Sequence, residues 1–446
     1  MEAARGLVPV RRTVRIGVTG LARAGKTALL TSLAANLLTA GAGLGTLPAL
    51  SASLAGRSFR VAIAPAGVED LPRFDFQSHL AALADDPPQW PARTGAVSLL
   101  ALDLHIGWPG YAASLPARRI RLELLDYPGE WLLDLPLLGQ DFSGWSDATL
   151  RRLDGRDEAR DFLSFVRGLP TAAPADDALA KAGHELYTAL LFRLRDHPGL
   201  SLLQPGRFLM PAPGPSAPWQ SFFPLVGKGR LGGLLADRFD RYRQQVRQEL
   251  VAPSFGRVDR LIVLADLLSA LHRGAEAFAD VAAALAAVSQ ALRFRRQPPL
   301  LPSWLAALAP ALLGGIGRVA FAATKADHVA DRQRGNLAAL VASLVGGRGA
   351  EARGFAVASV RCTEDVVWTL EGRPVSAVRG RVAGEAKAGR SYPGEVPDRP
   401  PGADFWAHPF LALPNFEPVR LALGGRGGVP NIGLDSLLVF LLEDVL

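Results

Sequence analysis

Apolar and polar positions alternate in the first predicted element of the chain. Val14, Ile16 and Val18 are apolar at every second position, which predicts a short strand. From Leu29 to Leu38 leucines recur at helical spacing and predict a helix. Between the two lies the segment GLARAGKT, residues 20–27. The pattern therefore predicts a strand, a glycine-containing loop and a helix in succession.

Further apolar runs predict the rest of a sheet. The predicted strands cover residues 97–106, 120–125, 259–268, 319–322 and 355–358. The first two follow each other directly and predict an antiparallel hairpin at one edge. The others are separated by helical stretches, so the sequence predicts an α/β fold with a mostly parallel, doubly wound sheet.

Between the second and third of these strands the pattern becomes helical. Asp176 is a candidate helix cap, and apolar residues follow it on one helical face, at Leu179, Ala182, Leu186, Leu190 and Leu194. We predict a helical insertion over residues 135–255. The core would then comprise residues 1–134 and 256–446, with a small hairpin-like insertion near 369–401 and an apolar helix at the end of the chain.

Composition narrows the classes of protein that fit. The chain has 446 residues, 49% of them hydrophobic, so it can bury a sizeable core. Its one cysteine, Cys362, excludes a disulfide framework and suits a reducing compartment. The N-terminal residues lack a long apolar run, so we expect no signal peptide. Prolines, glycines and an arginine interrupt the apolar window 301–323, which predicts a buried helix and strand rather than a membrane span.

Charge adds two points. The net charge is +7, but arginines are spread along the chain without a dense basic block, so we expect no specific nucleic acid partner. Lysine occurs five times only, and the other 44 of the 49 basic residues are arginine. Lys26 and Lys325 nevertheless lie in two candidate motifs, which suggests that these sites need a compact ammonium group.

Residues 20–27 match the phosphate-loop pattern G-x-x-x-x-G-K-[ST] in full. Glycines let the backbone curl so that N–H groups face a phosphate, and the helix that follows adds its positive end. Lys26 would reach the β- and γ-phosphates, and the Thr27 hydroxyl would ligate Mg²⁺. The residues predicted to bind the nucleotide's phosphates are Gly20, Arg23, Ala24, Gly25, Lys26, Thr27 and Ala28.

A magnesium carboxylate is predicted at the end of the strand 120–125. Asp126-Tyr-Pro-Gly129 fits the D-x-x-G pattern, in which the aspartate holds Mg²⁺ and the glycine N–H contacts the γ-phosphate. Upstream, Thr94 is a candidate switch threonine that would also bind Mg²⁺, and Arg93 could neutralise transition-state charge. Both also fit an ordinary solvated loop.

Two further segments are candidates for binding the base. Thr324-Lys325-Ala326-Asp327 resembles the [NT]-K-x-D element, in which the carboxylate accepts hydrogen bonds from guanine N1–H and the exocyclic amine. The stem of Lys325 would pack over the base, and His328 would lie at its edge. Ser359 and Val360 follow the last predicted strand, where a short loop could back the base.

In this order, the motifs resemble those of the YcjX-like stress-associated P-loop proteins. The residues that carry the likeness are GLARAGKTALLTSL, WPARTG, LLDYPGEWLLDLPLL and TKADHV. The resemblance implies a P-loop fold that binds GTP and GDP in the bacterial cytoplasm, peripheral to the inner membrane. It implies roles for Lys26, Thr27, Asp126, Lys325 and Asp327, and a membrane-associated protein partner.

Glu130 departs from the glutamine that small GTPases often carry after the D-x-x-G glycine. A carboxylate there adds negative charge near the γ-phosphate, so we expect slow, Mg²⁺-dependent GTP hydrolysis. Three alternatives remain: a nucleotide-binding regulator or scaffold that does not hydrolyse GTP, an ATPase, and a basic protein of the membrane surface with an incidental loop.

Overall fold

The computed structural model describes most of the chain from residue 12 to residue 446. Outside the described residues lie 1–11, 22, 66–70, 93–96, 109, 111–115, 197–202, 212–217, 228, 252–257, 295–315, 347–350, 386, 409, 411–412 and 423–427. The chain divides into two compact units. One comprises Met1–Pro128, Val258–Ala275 and Ile316–Leu446, and the other comprises Gly129–Arg257 and Glu276–Gly315.

The first unit contains a seven-stranded sheet. Its strands are β1 (Arg12–Gly20), β2 (Phe59–Ile63), β3 (Ser98–Ile106), β4 (Arg118–Asp126), β5 (Arg260–Ala265), β6 (Arg318–Ala323) and β7 (Ala352–Ala356). The order across the sheet is β2-β3-β4-β1-β5-β6-β7. Strands β4, β1, β5, β6 and β7 are parallel, and β3 and β2 continue the sheet in antiparallel pairing.

This arrangement confirms the predicted α/β class and the mostly parallel sheet. The hairpin of β3 and β4 is antiparallel as predicted, but β2 is the edge strand, and the sequence analysis did not identify it. Strand β2 has five residues, FRVAI, with half-buried and exposed positions in alternation. So short an apolar run is ambiguous by periodicity alone. Strand β5, in contrast, is buried at every position, as expected for a strand covered on both faces.

The helices of the first unit begin with α1 directly after the loop that follows β1. They are α1 (Lys26–Gly41), α2 (Pro48–Ser53), α3 (Phe76–Ala84), α10 (Leu267–Arg273), α12 (Asp331–Leu344), α13 (Ala403–Trp406) and α14 (Leu434–Leu442), with a 3-10 turn at Ala326–His328. Helix α14 confirms the predicted apolar helix at the end of the chain, and six of its nine residues are buried.

Two predicted strand boundaries are wrong. The strand predicted over 259–268 ends at Ala265, because Asp266 caps α10 through a hydrogen bond from the Ser269 N–H at 3.0 Å. The last predicted strand, 355–358, corresponds to β7, which begins and ends earlier, at Ala352 and Ala356. Apolar residues continue past both strand ends, so periodicity alone placed the ends too late.

A second, antiparallel sheet lies in the same unit. Its strands are β8 (Thr363–Leu370), β9 (Arg373–Arg381) and β10 (Ala388–Ser391), in the order β10-β9-β8. The turn between β8 and β9 is made by Glu371 and Gly372, both with positive φ (48° and 79°). Such left-handed pairs are typical of tight two-residue hairpin turns.

The second unit is helical. Its helices are α4 (Gly129–Leu132), α5 (Phe142–Leu153), α6 (Arg160–Gly168), α7 (Asp177–Asp196), α8 (Gly206–Leu209), α9 (Gly229–Val251) and α11 (Ala275–Phe294), and short 3-10 turns lie at Leu135–Gly139, Asp157–Ala159 and Pro218–Gln220. The predicted cap of α7 is confirmed, since the Asp176 carboxylate accepts a hydrogen bond from the Leu179 N–H at 2.9 Å.

Aromatic side chains form the core of this second unit. The Trp145 ring stacks on Phe239 at 5.1 Å and meets the edges of Tyr187 and Phe222. All four side chains are at most 1% exposed. The cluster joins α5, α7, α9 and the segment before α9, so burial of aromatic surface connects these helices.

The apolar window 301–323 is only partly described. Strand β6 confirms the predicted buried strand, whereas the helix predicted before it lies outside the described residues. Among the helices that the structure does describe, none is both long and apolar enough to span a bilayer.

The candidate motifs lie on the side of the sheet where the carboxyl ends of the parallel strands meet. Parallel strands β4, β1, β5, β6 and β7 end with Asp126, Gly20, Ala265, Ala323 and Ala356, all at their carboxyl ends. The strand order reverses around β1, which has β4 on one side and β5 on the other. In open α/β sheets, ligands bind at the carboxyl ends of the strands beside such a switch point.

Candidate functional site

The two glycines of the phosphate loop serve different purposes. A Cβ on Gly20 would lie 2.6 Å from the Cβ and the carbonyl oxygen of Leu264 in β5, so only glycine allows this approach. The following N–H, that of Leu21, donates to the same Leu264 carbonyl at 2.9 Å. Gly25 has open space around its Cα but a φ of 78°. It is required by its backbone conformation and not by crowding.

The loop curls through two left-handed residues. Arg23 (φ 62°) and Gly25 both have positive φ, and the Ala24 N–H closes a turn onto the Leu21 carbonyl at 3.2 Å. Such backbone turns N–H groups inward and forms a concave anion site. As the cap residue of α1, Gly25 has no side chain that could occupy the helix N-terminus. The loop therefore has the backbone geometry that the predicted phosphate cradle requires.

Lys26, Thr27 and Ala28 form the first turn of α1. Lys26 is half-buried, and Thr27 and Ala28 are each 8% exposed. The Thr27 carbonyl accepts a hydrogen bond from the Thr31 hydroxyl at 2.9 Å, which fixes the helix start. This turn lies at the positive end of the helix dipole, where anions are stabilised.

Asp126 ends β4 and is 2% exposed. It pairs with Val18 of β1 on one side and Ser98 of β3 on the other. The next N–H, that of Tyr127, donates to the Val18 carbonyl at 2.9 Å, so the pairing continues past the strand end. The carboxylate is therefore held beside the strand that leads into the phosphate loop.

His79 of α3 is a neighbour of Asp126 that the sequence analysis missed. Its side chain is 8% exposed and packs on the Phe74 ring at 4.9 Å. Burial lowers the pKa of His79, whereas the negative charges of Asp75 and Asp126 act in the opposite direction. A histidine alone in a helix has no spacing that would have marked it beforehand.

The remaining predicted residues of the γ-phosphate site are distributed differently. Gly129 and Glu130 begin α4 and belong to the helical unit, where Glu130 is half-buried. Arg93 and Thr94 lie outside the described residues. Their assignment continues to depend on the sequence alone.

The residues present fit a magnesium ion. Thr27 and Asp126 offer a hydroxyl and a carboxylate, which are hard oxygen donors of the kind Mg²⁺ prefers. Magnesium in phosphate sites is commonly held by one or two protein oxygens, with phosphate and water completing its shell. The described residues include no group of three or more His, Cys, Asp and Glu side chains that could bind a metal by themselves.

The T-K-x-D residues follow β6 in a tight turn. The Thr324 N–H donates to the Ala265 carbonyl of β5 at 2.9 Å, and the Ala326 N–H donates to Val357 at 3.1 Å. Lys325 between them has a left-handed backbone, with φ 61° and ψ 33°. This conformation is uncommon for a residue other than glycine and indicates a local constraint.

Asp327 is 3% exposed and tied to the loop after β7. Its Oδ2 accepts the Cys362 N–H at 2.9 Å, and its backbone carbonyl accepts the Thr363 hydroxyl. His328 is 9% exposed and meets the Phe416 ring edge-on at 5.0 Å. Burial lowers the pKa of His328, against the opposite effect of Asp327.

Ser359 and Val360 lie in the loop after β7, as predicted. The neighbouring Ala358 exchanges backbone hydrogen bonds with Ile432 at 3.0 and 2.9 Å. Ser359 is half-buried and Val360 is 3% exposed. The loop is thus fixed both to the segment before α14 and, through Cys362, to Asp327.

Asp266 is the second residue that the sequence analysis missed. Its Oδ2 lies 2.7 Å from Lys325 Nζ, and the same ammonium donates to Ser269 Oγ at 3.1 Å. The signal was present in the sequence, because Asp266-Leu-Leu-Ser269 after an apolar strand is a helix-cap pattern. It was hidden by extending the strand through Leu268.

Comparisons with known proteins identify the family of the chain. The sequence model of the YcjX-like family, DUF463, matches residues 14–446. A protein of Escherichia coli strain K12 named Ras-like GTPase YcjX is 33% identical, with 98% of this chain and 97% of that protein covered. A protein of the same name from Shewanella oneidensis is 32% identical, with 98% and 95% covered.

Proposed function

Because this chain belongs to the YcjX-like family, we propose that it binds GTP and GDP and hydrolyses GTP slowly in the presence of Mg²⁺, as a nucleotide-controlled switch. One observation carries the proposal. The phosphate loop follows β1 and the T-K-x-D turn follows β6, two strands away in the same parallel sheet. Adjacent strands are 4.7–4.9 Å apart, so the two motifs are separated by about 10 Å. A nucleotide bound in extended form bridges such a gap.

In this proposal the phosphates lie in the cradle after β1. N–H groups from the loop and the first turn of α1 bind the phosphate oxygens, and the Lys26 ammonium reaches the β- and γ-phosphates. Thr27 and Asp126 hold the magnesium, which supplies positive charge to the β- and γ-phosphate oxygens when bound. This environment stabilises the charge that develops as the γ-phosphate leaves.

The base lies against the T-K-x-D turn. Guanine presents two donors, N1–H and the 2-amino group, and the Asp327 carboxylate accepts both, whereas adenine offers no such pair. The stem of Lys325 covers the ring. Ser359 and Val360 back the base from the loop after β7, with His328 nearby.

Hydrolysis requires a water molecule in line with the γ-phosphate. We assign its positioning to Glu130 and the γ-phosphate contact to the Gly129 N–H, with Thr94 on the magnesium and Arg93 on the developing charge. These four assignments depend on the sequence motifs. A glutamate near the γ-phosphate adds negative charge, so intrinsic turnover is slow and a partner accelerates it.

The decisive experiment changes the nucleotide base from guanine to xanthine and, at the same time, the residue proposed to bind it, Asp327. In Asp327→Asn an amide replaces one carboxylate oxygen, so it can donate to the 2-carbonyl of xanthine but repels the 2-amino group of guanine. We expect GDP affinity to fall on the order of a hundredfold and xanthosine diphosphate to bind instead. Lys26→Ala should abolish GDP binding in the wild-type background and xanthosine diphosphate binding in the Asp327→Asn background.

Calorimetric titration of wild type with Mg²⁺-GDP, Mg²⁺-GTP and Mg²⁺-ATP accompanies this exchange. Absence of heat with both guanine nucleotides, from folded protein, would refute the proposal. Preference for ATP would identify an ATPase.

A second candidate is a guanine-nucleotide-binding regulator or scaffold without hydrolysis, which Glu130 favours. Single-turnover hydrolysis of γ-labelled GTP separates the two. The GTPase is supported if labelled phosphate is released slowly and if both Lys26→Ala and chelation of Mg²⁺ abolish this release. Binding without any release supports the scaffold.

The family resemblance extends the proposal to the cell. We place the protein in the cytoplasm, peripheral at the inner membrane through a membrane-associated protein partner, in a stress response. Fractionation of cells with a tagged chain, before and after stress, checks this. A chain that stays in the supernatant in both conditions contradicts it.

A further inference from the structure

Asp266 occupies a central place between the two halves of the proposed site. It directly follows β5, the strand that lies between β1 and β6. Its side chain is 12% exposed and caps α10 by accepting hydrogen bonds from the Ser269 N–H at 3.0 Å and the Ser269 hydroxyl at 2.6 Å. The Asp266 carboxylate is thus held in place by two hydrogen bonds from Ser269 in the helix that it caps.

The Asp266 carboxylate also forms an ion pair with Lys325. The ammonium lies 2.7 Å from Asp266 Oδ2 and also donates to Ser269 Oγ at 3.1 Å. Burial would raise the pKa of Asp266, but the positive charge of Lys325 and the hydrogen bonds from Ser269 hold it below its ordinary value. The Asp266 carboxylate is therefore ionised at neutral pH.

The ion pair holds a side chain that would otherwise be mobile. Lysine has four rotatable bonds and about 2 kcal/mol of rotamer entropy. With the ammonium anchored on Asp266 and the backbone of Lys325 in its left-handed conformation, the apolar stem is already ordered before a ligand arrives. Ordering a binding side chain in advance lowers the entropic cost of association.

The same short segment also supports the phosphate loop. Leu264 accepts the Leu21 N–H at 2.9 Å and lies in the space that a Cβ on Gly20 would need. Residues 264–269 therefore contact the phosphate cradle at one end and the T-K-x-D turn at the other. Asp266 is the charged residue in this segment, and its ion pair is with Lys325 of the T-K-x-D turn.

From this geometry we propose that Asp266 is a positioning residue of the guanine site, which anchors the Lys325 ammonium so that the lysine stem forms one wall of the base pocket. The inference builds on the proposed function and adds to it a residue that determines affinity for the nucleoside part of the ligand. Asp266 itself does not touch the nucleotide.

The rival explanation is that Asp266 only caps α10. Asparagine caps helices as well as aspartate does, so Asp266→Asn keeps the cap and removes the charge that holds Lys325. A cap-only role predicts no effect of this variant on binding. Asp141→Asn is the matched control, because Asp141 caps α5 through the Gly144 N–H at 2.7 Å in the helical unit.

The experiment measures two ligands on the full chain with Mg²⁺. GDP engages both halves of the site, whereas inorganic tripolyphosphate engages the phosphate cradle alone. Affinities are determined by calorimetry for wild type, Asp266→Asn, Lys325→Ala, the double variant and Asp141→Asn, and thermal unfolding without ligand verifies folding. Ser269→Ala, which removes one anchor of the ammonium but leaves Asp266, serves as a second variant.

We expect Asp266→Asn to weaken GDP about tenfold, as for loss of a hydrogen-bonded charge partner, and to leave tripolyphosphate binding unchanged. The double variant Asp266→Asn, Lys325→Ala should bind GDP no more weakly than Lys325→Ala alone, because both changes remove the same interaction. Ser269→Ala should weaken GDP binding less than Asp266→Asn does, and Asp141→Asn should bind GDP with the affinity of wild type.

Three results would overturn the inference: unchanged GDP affinity in Asp266→Asn, an equal loss for GDP and tripolyphosphate, or additive losses in the double variant. If wild type binds neither GDP nor GTP, the proposed function fails as well. If wild type binds GDP and Asp266→Asn binds it equally well, only the role of Asp266 fails.

Discussion

At the scale of single residues, Gly20 and Gly25 show how one pattern combines unlike causes. The motif names both positions, and the sequence analysis gave both the same explanation, backbone curling. Gly25 does have the left-handed φ that this explanation requires. Gly20 is required instead by the approach of Leu264 within the volume of a Cβ.

Alanine and asparagine substitutions should separate these causes. Gly20→Ala forces β1 away from β5, and we expect a loss of about 1–3 kcal/mol in the free energy of unfolding. Gly25→Ala strains a left-handed backbone at a cost of about 1–2 kcal/mol. Asparagine tolerates this conformation, so Gly25→Asn should recover part of the loss, whereas Gly20→Asn should be worse than Gly20→Ala. Urea unfolding without nucleotide measures all four, and a neutral Gly20→Ala would contradict the packing argument.

Glu123 is a second residue whose importance appears only in the structure. It pairs with Arg15 across β1 and β4 at 2.7 Å and with Arg121 on its own strand at 2.9 Å, and all three are at most 9% exposed. Glu123→Ala leaves two buried guanidinium groups without this carboxylate. We expect a loss of about 3–5 kcal/mol in the free energy of unfolding.

An exposed ion pair provides the control. Asp154 and Arg167 are 2.8 Å apart with 68% of each side chain exposed. Asp154→Ala should change stability by no more than about 0.5 kcal/mol. Equal effects of Glu123→Ala and Asp154→Ala in urea unfolding would show that burial of the Glu123 cluster has no energetic consequence.

At the scale of elements, the residues after D-x-x-G are hydrogen-bonded to the start of α8, to the segment before it and to α9. The Leu133 carbonyl accepts Gln204 Nε2 at 2.5 Å, and the Asp134 carboxylate accepts the Gly206 N–H and the Tyr242 hydroxyl, each at 2.7 Å. Asp134 is fully buried. The run EWLLDLPLL, which is part of one of the four segments that carry the family resemblance, is therefore an anchoring segment of the helical unit.

Asp134 should make stability depend on pH. Burial raises its pKa to about 6 from an ordinary value of 3.8, against the opposing charge of Arg207. Between these values the native protein binds a proton that the unfolded chain lacks, so the contribution of Asp134 to the free energy of unfolding grows as pH falls. It is lost again as pH rises through about 6.

Comparison with Asp134→Asn isolates this contribution. The stability of wild type relative to the variant should be greater at a pH of about 4.5 than at about 7.5, by on the order of 2 kcal/mol. Asp154→Asn, at an exposed carboxylate, should show no such trend. Parallel pH profiles of wild type and Asp134→Asn in urea unfolding would contradict the expectation.

At the scale of the whole molecule, nucleotide binding should raise the free energy of unfolding. A ligand that binds only the native state raises the free energy of unfolding by about 2.7 kcal/mol at a hundred times its dissociation constant. Mg²⁺-GDP should therefore raise the melting temperature of wild type, and Lys26→Ala should lose the shift. Differential scanning calorimetry at several GDP concentrations measures it, and a concentration-independent melting temperature would count against specific binding.

Much of the fold, and the motifs of the candidate site, could be predicted from the sequence because their signals are local. A phosphate loop is eight consecutive residues between a strand and a helix, and buried parallel strands are continuous apolar runs. Predictions failed where the local signal is short or where apolar residues continue past the end of an element. Strand β2 is a run of five residues, too short for its alternation to be decisive. Strand β5 ends at Ala265, because Asp266 caps the next helix within an apolar run that continues through Leu268.

By itself the sequence determined the class of fold, the order of the motifs and the chemistry that each can perform, since these depend on residue types at short spacing. Only the tertiary structure decided that Lys325 is anchored by Asp266, with Ser269 56 positions away from the lysine, and that Asp327 is tied to Cys362, 35 positions along the chain. The reason is physical: such partners meet only when parallel strands end side by side, and no local pattern encodes which carboxylate will face which ammonium.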